Sequence, residues 1–256
     1  MCPLTISPIH AFSDNYIWML SNGSSAFVVD PGDADPVLET LSQLQLKLSG
    51  ILITHHHFDH TGGLAALQSA TGCKTWGPVD SPAGGYDHLL REGDTLDVMG
   101  AEFSVLEVPG HTLDHIAFYS EAEQAVFCGD TLFVGGCGRV FEGDPPQMRR
   151  SLQKLRSLPA KTRVFCAHEY TLTNLRFARQ VDPDNQRLEN FLLECEEKRR
   201  NNIATVPSIL GGECEYNPFL RWDSPAVRDN LKLLGRLSDD NEDAVFTAVR
   251  EWKNQA

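Results

Sequence analysis

Four side chains that can bind a metal ion lie within six residues of one another, with the spacing His-x-His-x-Asp-His. They are His55, His57, Asp59 and His60. Neutral imidazole and carboxylate are suitable ligands for zinc and other first-row divalent metals. A lone histidine is easily explained as a solvated loop residue, but this cluster is not. His56 alternates with its two neighbours, so we expect it to point away from a metal.

The cluster follows an apolar run at residues 51–53 and precedes a helix-like run at residues 64–67. The first run predicts a buried strand and the second predicts the start of a helix. The cluster therefore occupies a tight loop between a strand and a helix, which is where α/β folds place their chemistry.

Three later strand-like runs also end in a residue that can bind a metal. The pairs are residues 103–108 with His111, residues 125–128 with Asp130, and residues 163–166 with His168. Each residue alone is weak evidence, but side chains at the carboxyl ends of successive strands converge at one edge of a sheet. The repeated placement therefore predicts a single site.

Seven candidate ligands exceed the needs of one catalytic zinc ion, which uses about three protein ligands and a water. We therefore expect two divalent ions, zinc being the first choice and iron or manganese also acceptable. The predicted ligands are His55, His57 and His111 for the first ion, Asp59, His60 and His168 for the second, and Asp130 as a bridge.

A water shared by two cations is deprotonated near neutral pH, so this site would carry out hydrolysis without a protein nucleophile. No Gly-x-Ser-x-Gly elbow and no Walker loop occurs in the sequence, which agrees with that chemistry.

Composition and charge narrow the function further. The chain has 256 residues, of which 41% are hydrophobic and 22% charged, as is usual for one large or two smaller globular domains. A net charge of −13 argues against nucleic acid as a partner. The seven scattered cysteines contain no Cys-x-x-Cys, which favours reduced thiols in a cytoplasmic protein. We find no signal-peptide pattern and no apolar run long enough to span a membrane.

Other elements follow from local patterns. Residues 36–47 have apolar side chains at helical spacing, residues 116–119 look like a strand, and Asp30-Pro31-Gly32 is a turn signal. Asp144-Pro145 predicts the start of a helix with Asp144 as its N-cap.

The strand pattern stops after residue 166. Residues 171–202 look helical, residues 203–222 look irregular, and two later segments that begin near 224 and 240 look helical. We therefore predict a boundary at residue 169. Residues 1–169 would form an α/β metal-binding domain, and residues 170–256 an α-helical domain.

The motifs resemble those of a known family. Thr-His-His-His-Phe-Asp-His, followed by Gly-His-Thr, Gly-Asp-Thr and Ala-His-Glu, is similar to the metallo-β-lactamase superfamily, whose fold is an αββα sandwich. Gly-Cys-Gly-Arg, Ala-His-Glu-Tyr-Thr and Asn-Pro-Phe-Leu-Arg narrow the resemblance to the glyoxalase II (hydroxyacylglutathione hydrolase) family. The resemblance covers nearly the whole chain, including the helical second domain.

The resemblance implies hydrolysis of S-D-lactoylglutathione to D-lactate and glutathione, the second step of methylglyoxal detoxification. Hydroxide bridging the two metals would attack the thioester. Asp59 and Asp130 would be catalytic, Asp59 by holding the proton of that hydroxide and Asp130 by bridging the ions. We expect a monomer that binds a glutathione thioester and neither nucleic acid nor membrane.

The resemblance also implies which residues bind the substrate. Contacts to glutathione would come from Arg139, Phe141 and Tyr170, and contacts to its glycine carboxylate from Arg250 and Lys253. This chain has Phe141 where some members have Tyr and Arg139 where some have Lys. Asp114 replaces a usual glycine, and aspartate tolerates a positive φ better than most residues if the position requires one.

Three other functions are compatible with some of these features. A persulfide dioxygenase of the same fold would use a single iron on two histidines and one aspartate, and would act on glutathione persulfide. The complete second ligand set favours the hydrolase, and counting metal ions per chain separates the two. A nuclease is disfavoured by the negative charge, and a catalytically silent binding module by the intact ligand set.

Overall fold

The computed structural model describes residues 4–256, and contacts within the chain divide it into two units. The first unit comprises the chain up to residue 107 together with residues 114–129, and the second comprises residues 108–113 and 130–256. This division follows spatial contacts. The boundary at residue 169 stays a prediction from the sequence.

The first unit contains a six-stranded sheet with the strands in chain order. The strands are β1 (Thr5–Ala11), β2 (Asn15–Ser21), β3 (Ser25–Val29), β4 (Lys47–Leu52), β5 (Lys74–Pro78) and β6 (His88–Leu90). The first three strands pair antiparallel, and β3 to β6 pair parallel. Parallel strands require a crossover connection, which is usually a helix.

Three helices lie in the segments between the parallel strands. They are α1 (Asp35–Leu44), α2 (Phe58–Thr61) and α3 (Leu64–Thr71). Val37 and Leu41 of α1 and Leu67 of α3 pack with Val28 and Ile51 of the sheet in one buried cluster. The helical spacing of these leucines and valines predicted α1 and α3, and both helices are confirmed. The helix α2 is new, because the sequence predicted only a loop there.

Four more strands of the first unit form an antiparallel arrangement in the order β10, β9, β8, β7. Their bounds are β7 (Thr95–Val98), β8 (Ala101–Glu107), β9 (Ile116–Ser120) and β10 (Ala125–Gly129). Every residue of β10 is buried. The predicted strands at 103–108, 116–119 and 125–128 are confirmed within one or two residues.

The second unit is mostly helical. Its strands are β11 (Leu132–Phe133), β12 (Gly136–Cys137), β13 (Arg163–Cys166) and β14 (Ser208–Ile209). Its helices are α4 (Pro145–Arg156), α5 (Thr171–Val181), α6 (Gln186–Arg200), α7 (Leu210–Tyr216), α8 (Pro225–Leu233) and α9 (Glu242–Gln255). Leu175 of α5 and Leu192 of α6 pack in one core with Tyr216 of α7. Asp144 caps α4 by accepting a hydrogen bond from the Gln147 N–H, as its sequence predicted.

Sequence patterns missed several elements. The sequence patterns did not predict the strands β1 and β2. They also predicted an irregular segment at residues 203–222, which in fact contains β14 and α7. Gly211 and Gly212 in α7 disfavour a helix, but burial of Leu210 and Tyr216 in the core overrides that preference. Across residues 4–256, none of the helices combines the length and the apolar character needed to cross a bilayer.

Five of the cysteines that the structure describes are buried thiols. Cys73, Cys128, Cys137, Cys166 and Cys195 are buried free cysteines. Loss of hydration raises the pKa of both the Cys166 and Cys195 thiols to about 12. Cys128 and Cys166 lie in β10 and β13 and are fully buried, so both pack in a core.

Gly32 allows the loop that carries Asp59 to pass directly over the turn after β3. A Cβ atom on Gly32 would lie 1.9 Å from the carbonyl oxygen of Asp59. We therefore expect Gly32→Ala to displace this loop, to reduce bound metal severalfold and to cost about 1–3 kcal/mol of stability. Metal content and denaturant unfolding measure the two effects.

Gly23→Ala is the matched control. Gly23 has φ +90 and no atom within 4 Å of an added Cβ, so alanine there costs only the left-handed conformation, about 1 kcal/mol. Equal metal content in Gly32→Ala and Gly23→Ala would contradict the close approach of the two loops.

Candidate metal centre

The first unit brings His55 and His57 together. The Nε2 atom of His55 lies 3.2 Å from the Nδ1 atom of His57. The other ring nitrogen of His55, Nδ1, lies 3.0 Å from the Thr54 hydroxyl oxygen. That hydroxyl donates its hydrogen to the Asp30 carboxylate at 2.7 Å, so it accepts the hydrogen from His55. The network therefore assigns the proton of His55 to Nδ1 and the lone pair to Nε2, the nitrogen that faces His57.

His60 and Asp59 lie together on the short helix α2. The Nδ1 atom of His60 is 3.1 Å from the Asp30 carboxylate, and its Nε2 atom is 3.5 Å from the Asp59 carboxylate. A carboxylate can only accept, so His60 donates to Asp30 through Nδ1 and carries its lone pair on Nε2. The His60 side chain is almost fully buried, whereas that of Asp59 is 41% exposed.

Asp30 orients two of the predicted ligands, and no sequence motif indicated this role. It accepts hydrogen bonds from the Thr54 backbone N–H at 2.7 Å, from the Thr54 hydroxyl and from His60. It has φ 54, a left-handed conformation that aspartate tolerates. Asp30-Pro31-Gly32 was interpreted only as a turn. Its position directly after β3 was an available signal, because the predicted ligands also follow strands.

His56 does not share the site of its two neighbours. Its Nδ1 atom lies 2.9 Å from the Asp114 carboxylate, so the prediction that His56 points elsewhere is confirmed. Asp114 is not among the described residues with positive φ. Its replacement of a usual glycine therefore causes no backbone strain here. His115 stacks on His55 with ring centroids 4.5 Å apart, which gives it a structural role beside a predicted ligand.

The second unit places Asp130 between two histidines. One carboxylate oxygen of Asp130 is 3.4 Å from His111 Nε2, and the other is 3.4 Å from His168 Nε2. His111 donates from Nδ1 to the Arg139 carbonyl at 2.7 Å, which assigns the lone pair to Nε2. Histidine ligands usually make such a second hydrogen bond, because it fixes the tautomer and the ring orientation. The donor types in both units therefore fit divalent metal ions.

Three predicted substrate residues lie at the surface of the second unit. The Arg139 guanidinium lies 5.4 Å from the centroid of the Phe141 ring, and Phe141 is 59% exposed. Tyr170 is stacked on His168 with ring centroids 4.7 Å apart. Exposed aromatic and basic side chains next to His111 and His168 are available to a ligand.

Arg250 and Lys253, on α9, are less accessible. Arg250 is 5% exposed, and its Nη1 donates to the carbonyls of Cys137 at 3.0 Å and Gly138 at 3.3 Å. Arg250 therefore holds the glycine loop that precedes Arg139, a role that the sequence did not predict. Burial lowers the pKa of Lys253, and the nearby Arg250 charge lowers it further. The substrate role of both residues stays a prediction.

A buried carboxylate holds the hairpin of β11 and β12, which follows Asp130. Glu213 is fully buried. It accepts hydrogen bonds from the Gly135 N–H, the Asn217 amide and the Tyr216 hydroxyl, each at 2.9 Å. The Asn217 amide also donates to the Gly136 carbonyl at 3.0 Å. Loss of hydration raises the pKa of Glu213 despite these hydrogen bonds. No sequence pattern indicated this network.

We expect Asp30→Asn to weaken metal binding by about 10–100-fold, the usual loss when a residue that orients a ligand is changed. The amide group cannot accept all the hydrogen bonds that fix the tautomers of His55 and His60. Competition with a chromophoric chelator measures the affinity. The control is Asp33→Asn in the same turn, because within residues 4–256 the Asp33 carboxylate accepts from the Asp35 N–H and contacts no predicted ligand. Equal affinity in both variants would show that Asp30 does not orient the ligands.

Glu213→Gln should change how stability depends on pH. An acid with a raised pKa holds its proton more tightly in the folded chain, so its contribution to stability is largest below the ordinary value of 4.5. That contribution falls as the pH rises above 4.5 towards the raised pKa. We therefore expect the free energy of unfolding of the parent protein, relative to Glu213→Gln, to fall between pH 4.5 and neutrality.

Denaturant unfolding of both proteins in excess chelator measures this difference without a contribution from metal binding. Glu215→Gln is the control, since Glu215 is exposed and pairs with Arg187. A difference between parent and Glu213→Gln that stays constant with pH would contradict the raised pKa.

Comparison with known proteins agrees with this geometry. Residues 12–168 match the family model described as the metallo-beta-lactamase superfamily, and residues 169–256 match hydroxyacylglutathione hydrolase C-terminus. A hydroxyacylglutathione hydrolase of Nitrosomonas eutropha is 50% identical over 254 residues, which cover 98% of each chain.

Two solved structures are similar in fold. ETHE1 from Myxococcus xanthus has a TM-score of 0.65 and 23% identity, with 98% of this chain and 97% of that chain covered. TTHA1623 in a di-iron-bound form has a TM-score of 0.59 and 28% identity, with 86% and 100% covered. The predicted αββα fold with a C-terminal helical region is confirmed, and the dioxygenase alternative is not favoured. The chain therefore belongs to the hydroxyacylglutathione hydrolase family of the metallo-β-lactamase superfamily.

Proposed function

We propose that this protein hydrolyses S-D-lactoylglutathione to D-lactate and glutathione, the second step of methylglyoxal detoxification. The observation that carries the proposal is the placement of Asp130, with one carboxylate oxygen facing His111 and the other facing His168. A carboxylate with this orientation is suited to bridging two ions. The similar protein of Nitrosomonas eutropha is named hydroxyacylglutathione hydrolase, which is the name of this activity.

Two divalent ions would be held by the seven residues predicted from the sequence. The donor set supports this, since His55, His60 and His111 each use one ring nitrogen for a hydrogen bond that assigns the lone pair to the other. Zinc is the first choice for histidine and aspartate ligands, and iron and manganese are also accepted. The structural neighbour TTHA1623 is described with two irons. His55, His57 and His111 would hold one ion, Asp59, His60 and His168 would hold the other, and Asp130 would be shared by both.

Bound divalent ions would lower the pKa of a coordinated water and polarise the thioester carbonyl. Asp59, with its partly exposed carboxylate beside His60, would hold the proton of the attacking water. Asp130 would keep the Nε2 atoms of His111 and His168 in position, one beside each of its carboxylate oxygens. A thiolate is a good leaving group, so no acidic side chain is required to protonate it.

Substrate binding would use the exposed surface around His111 and His168. Phe141 and Tyr170 offer ring faces to the glutathione moiety, and Arg139 offers a cation that can bind a carboxylate through two hydrogen bonds. Arg250 and Lys253 would bind the glycine carboxylate. Phe141 lacks a hydroxyl and so contributes apolar contact only. The protein has a net charge of −13, so an anionic substrate would be attracted by these basic side chains and not by the protein as a whole. We place the protein in the cytoplasm, as a monomer.

Thiol release from S-D-lactoylglutathione tests the proposal. We expect hydrolysis that is abolished by chelation and restored by zinc, with about two ions per chain. Asp130→Ala should lower kcat by more than about 100-fold, because loss of an orienting residue alone can cost that much. If the protein holds two ions yet releases no thiol, S-D-lactoylglutathione is not its substrate. A metal-loaded Asp130→Ala protein with the parent kcat would refute the bridging role.

A further inference from the structure

Asn15 makes a contact that no sequence motif indicated. It lies at the start of β2, and its side chain is buried, with 7% exposure. The Asn15 amide nitrogen lies 3.0 Å from the Oδ2 atom of Asp59 and 3.4 Å from the Asp59 backbone carbonyl. One amide therefore donates to both the side chain and the main chain of a predicted metal ligand.

The carboxylate oxygen that accepts from Asn15 is the one that faces His60. The Asp59 Oδ2 atom lies 3.5 Å from His60 Nε2. The Asp59 side chain is 41% exposed and belongs to the four-residue helix α2, so packing leaves it more rotamer freedom than the buried His60 has. The hydrogen bond from Asn15 is made in the rotamer in which the two predicted ligands lie side by side.

The turn that precedes Asn15 lies against Gly32, in the turn after β3. Phe12, in the turn between β1 and β2, has φ 50, an uncommon conformation for a bulky residue. The Cε2 atom of Phe12 would lie 2.9 Å from a Cβ on Gly32, the residue that packs on the Asp59 carbonyl. Strained residues persist where the surrounding structure determines them and often lie at functional sites.

We infer that Asn15 is a positioning residue for Asp59, and through it for the ion that Asp59 and His60 are proposed to hold. An amide is suited to this task because it donates a hydrogen bond without carrying a charge. It therefore restricts the rotamer of Asp59 while leaving the negative charge available to a cation. The inference rests on the ligand role of Asp59 in the proposed function.

The test is the number and affinity of metal ions per chain in Asn15→Ala and Asn15→Leu. Alanine removes the donor and leaves space, whereas leucine removes the donor and keeps the volume. We expect both variants to bind one ion about 10–100-fold more weakly than the parent protein, so that gel filtration leaves close to one ion per chain. The other ion should be retained with unchanged affinity.

Asn22→Ala is the matched control. Asn22 lies in the same unit, and its side-chain oxygen accepts from Ser24 and Ser25 and, within the described part of the chain, from no predicted ligand. A purely structural role would lower unfolding stability in excess chelator without selecting one ion. Two ions of parental affinity in both Asn15 variants would overturn the inference. The parent protein tests the proposed function separately, since absence of two ions or of thiol release there would refute that function irrespective of Asn15.

Discussion

A histidine binds a metal ion only through a ring nitrogen that carries no proton, and much of this structure serves that requirement. In the first unit, Asp30 directs the protons of two rings, one directly at His60 and one through Thr54 at His55. In the second, the Arg139 carbonyl does the same for His111. Loss of the Asp30 carboxylate would leave the tautomers of His55 and His60 unfixed, although both predicted ligands would still be present.

Backbone segments pack closely around the predicted ligands. Short loops after β3 and β4 approach so closely that only glycine fits at residue 32. A similar contact occurs in the second unit, where a Cβ on Gly138 would lie 1.9 Å from the Asp130 carbonyl. Two buried side chains hold the segment between Asp130 and Gly138. Glu213 accepts from the Gly135 N–H, and Arg250 donates to the carbonyls of Cys137 and Gly138. The loops are therefore fixed by hydrogen bonds to core side chains.

The parts that the sequence predicted are local ones. Short apolar runs followed directly by His or Asp predicted β4, β8, β10 and β13 and the ligands at their ends, because strand and ligand are adjacent in the chain. The orienting residues could not be predicted in this way. Asn15 and Asp59 are 44 positions apart, and Arg250 and Cys137 are 113 apart. Their pairing depends on strand order and helix packing, which single-sequence periodicity does not determine. Asp30 is intermediate, because its position after a strand was visible but its partners were not.

Alkylation of a buried thiol can measure how often the core around that thiol opens. Only a thiolate reacts readily with electrophiles, and burial raises the pKa of Cys166 to about 12. Reaction of Cys166 with an alkylating reagent at neutral pH therefore requires the surrounding core to open first. Cys166 ends β13 and lies two positions before His168. Its rate of alkylation would thus report how often the segment that carries this predicted ligand leaves its native packing, with no engineered label.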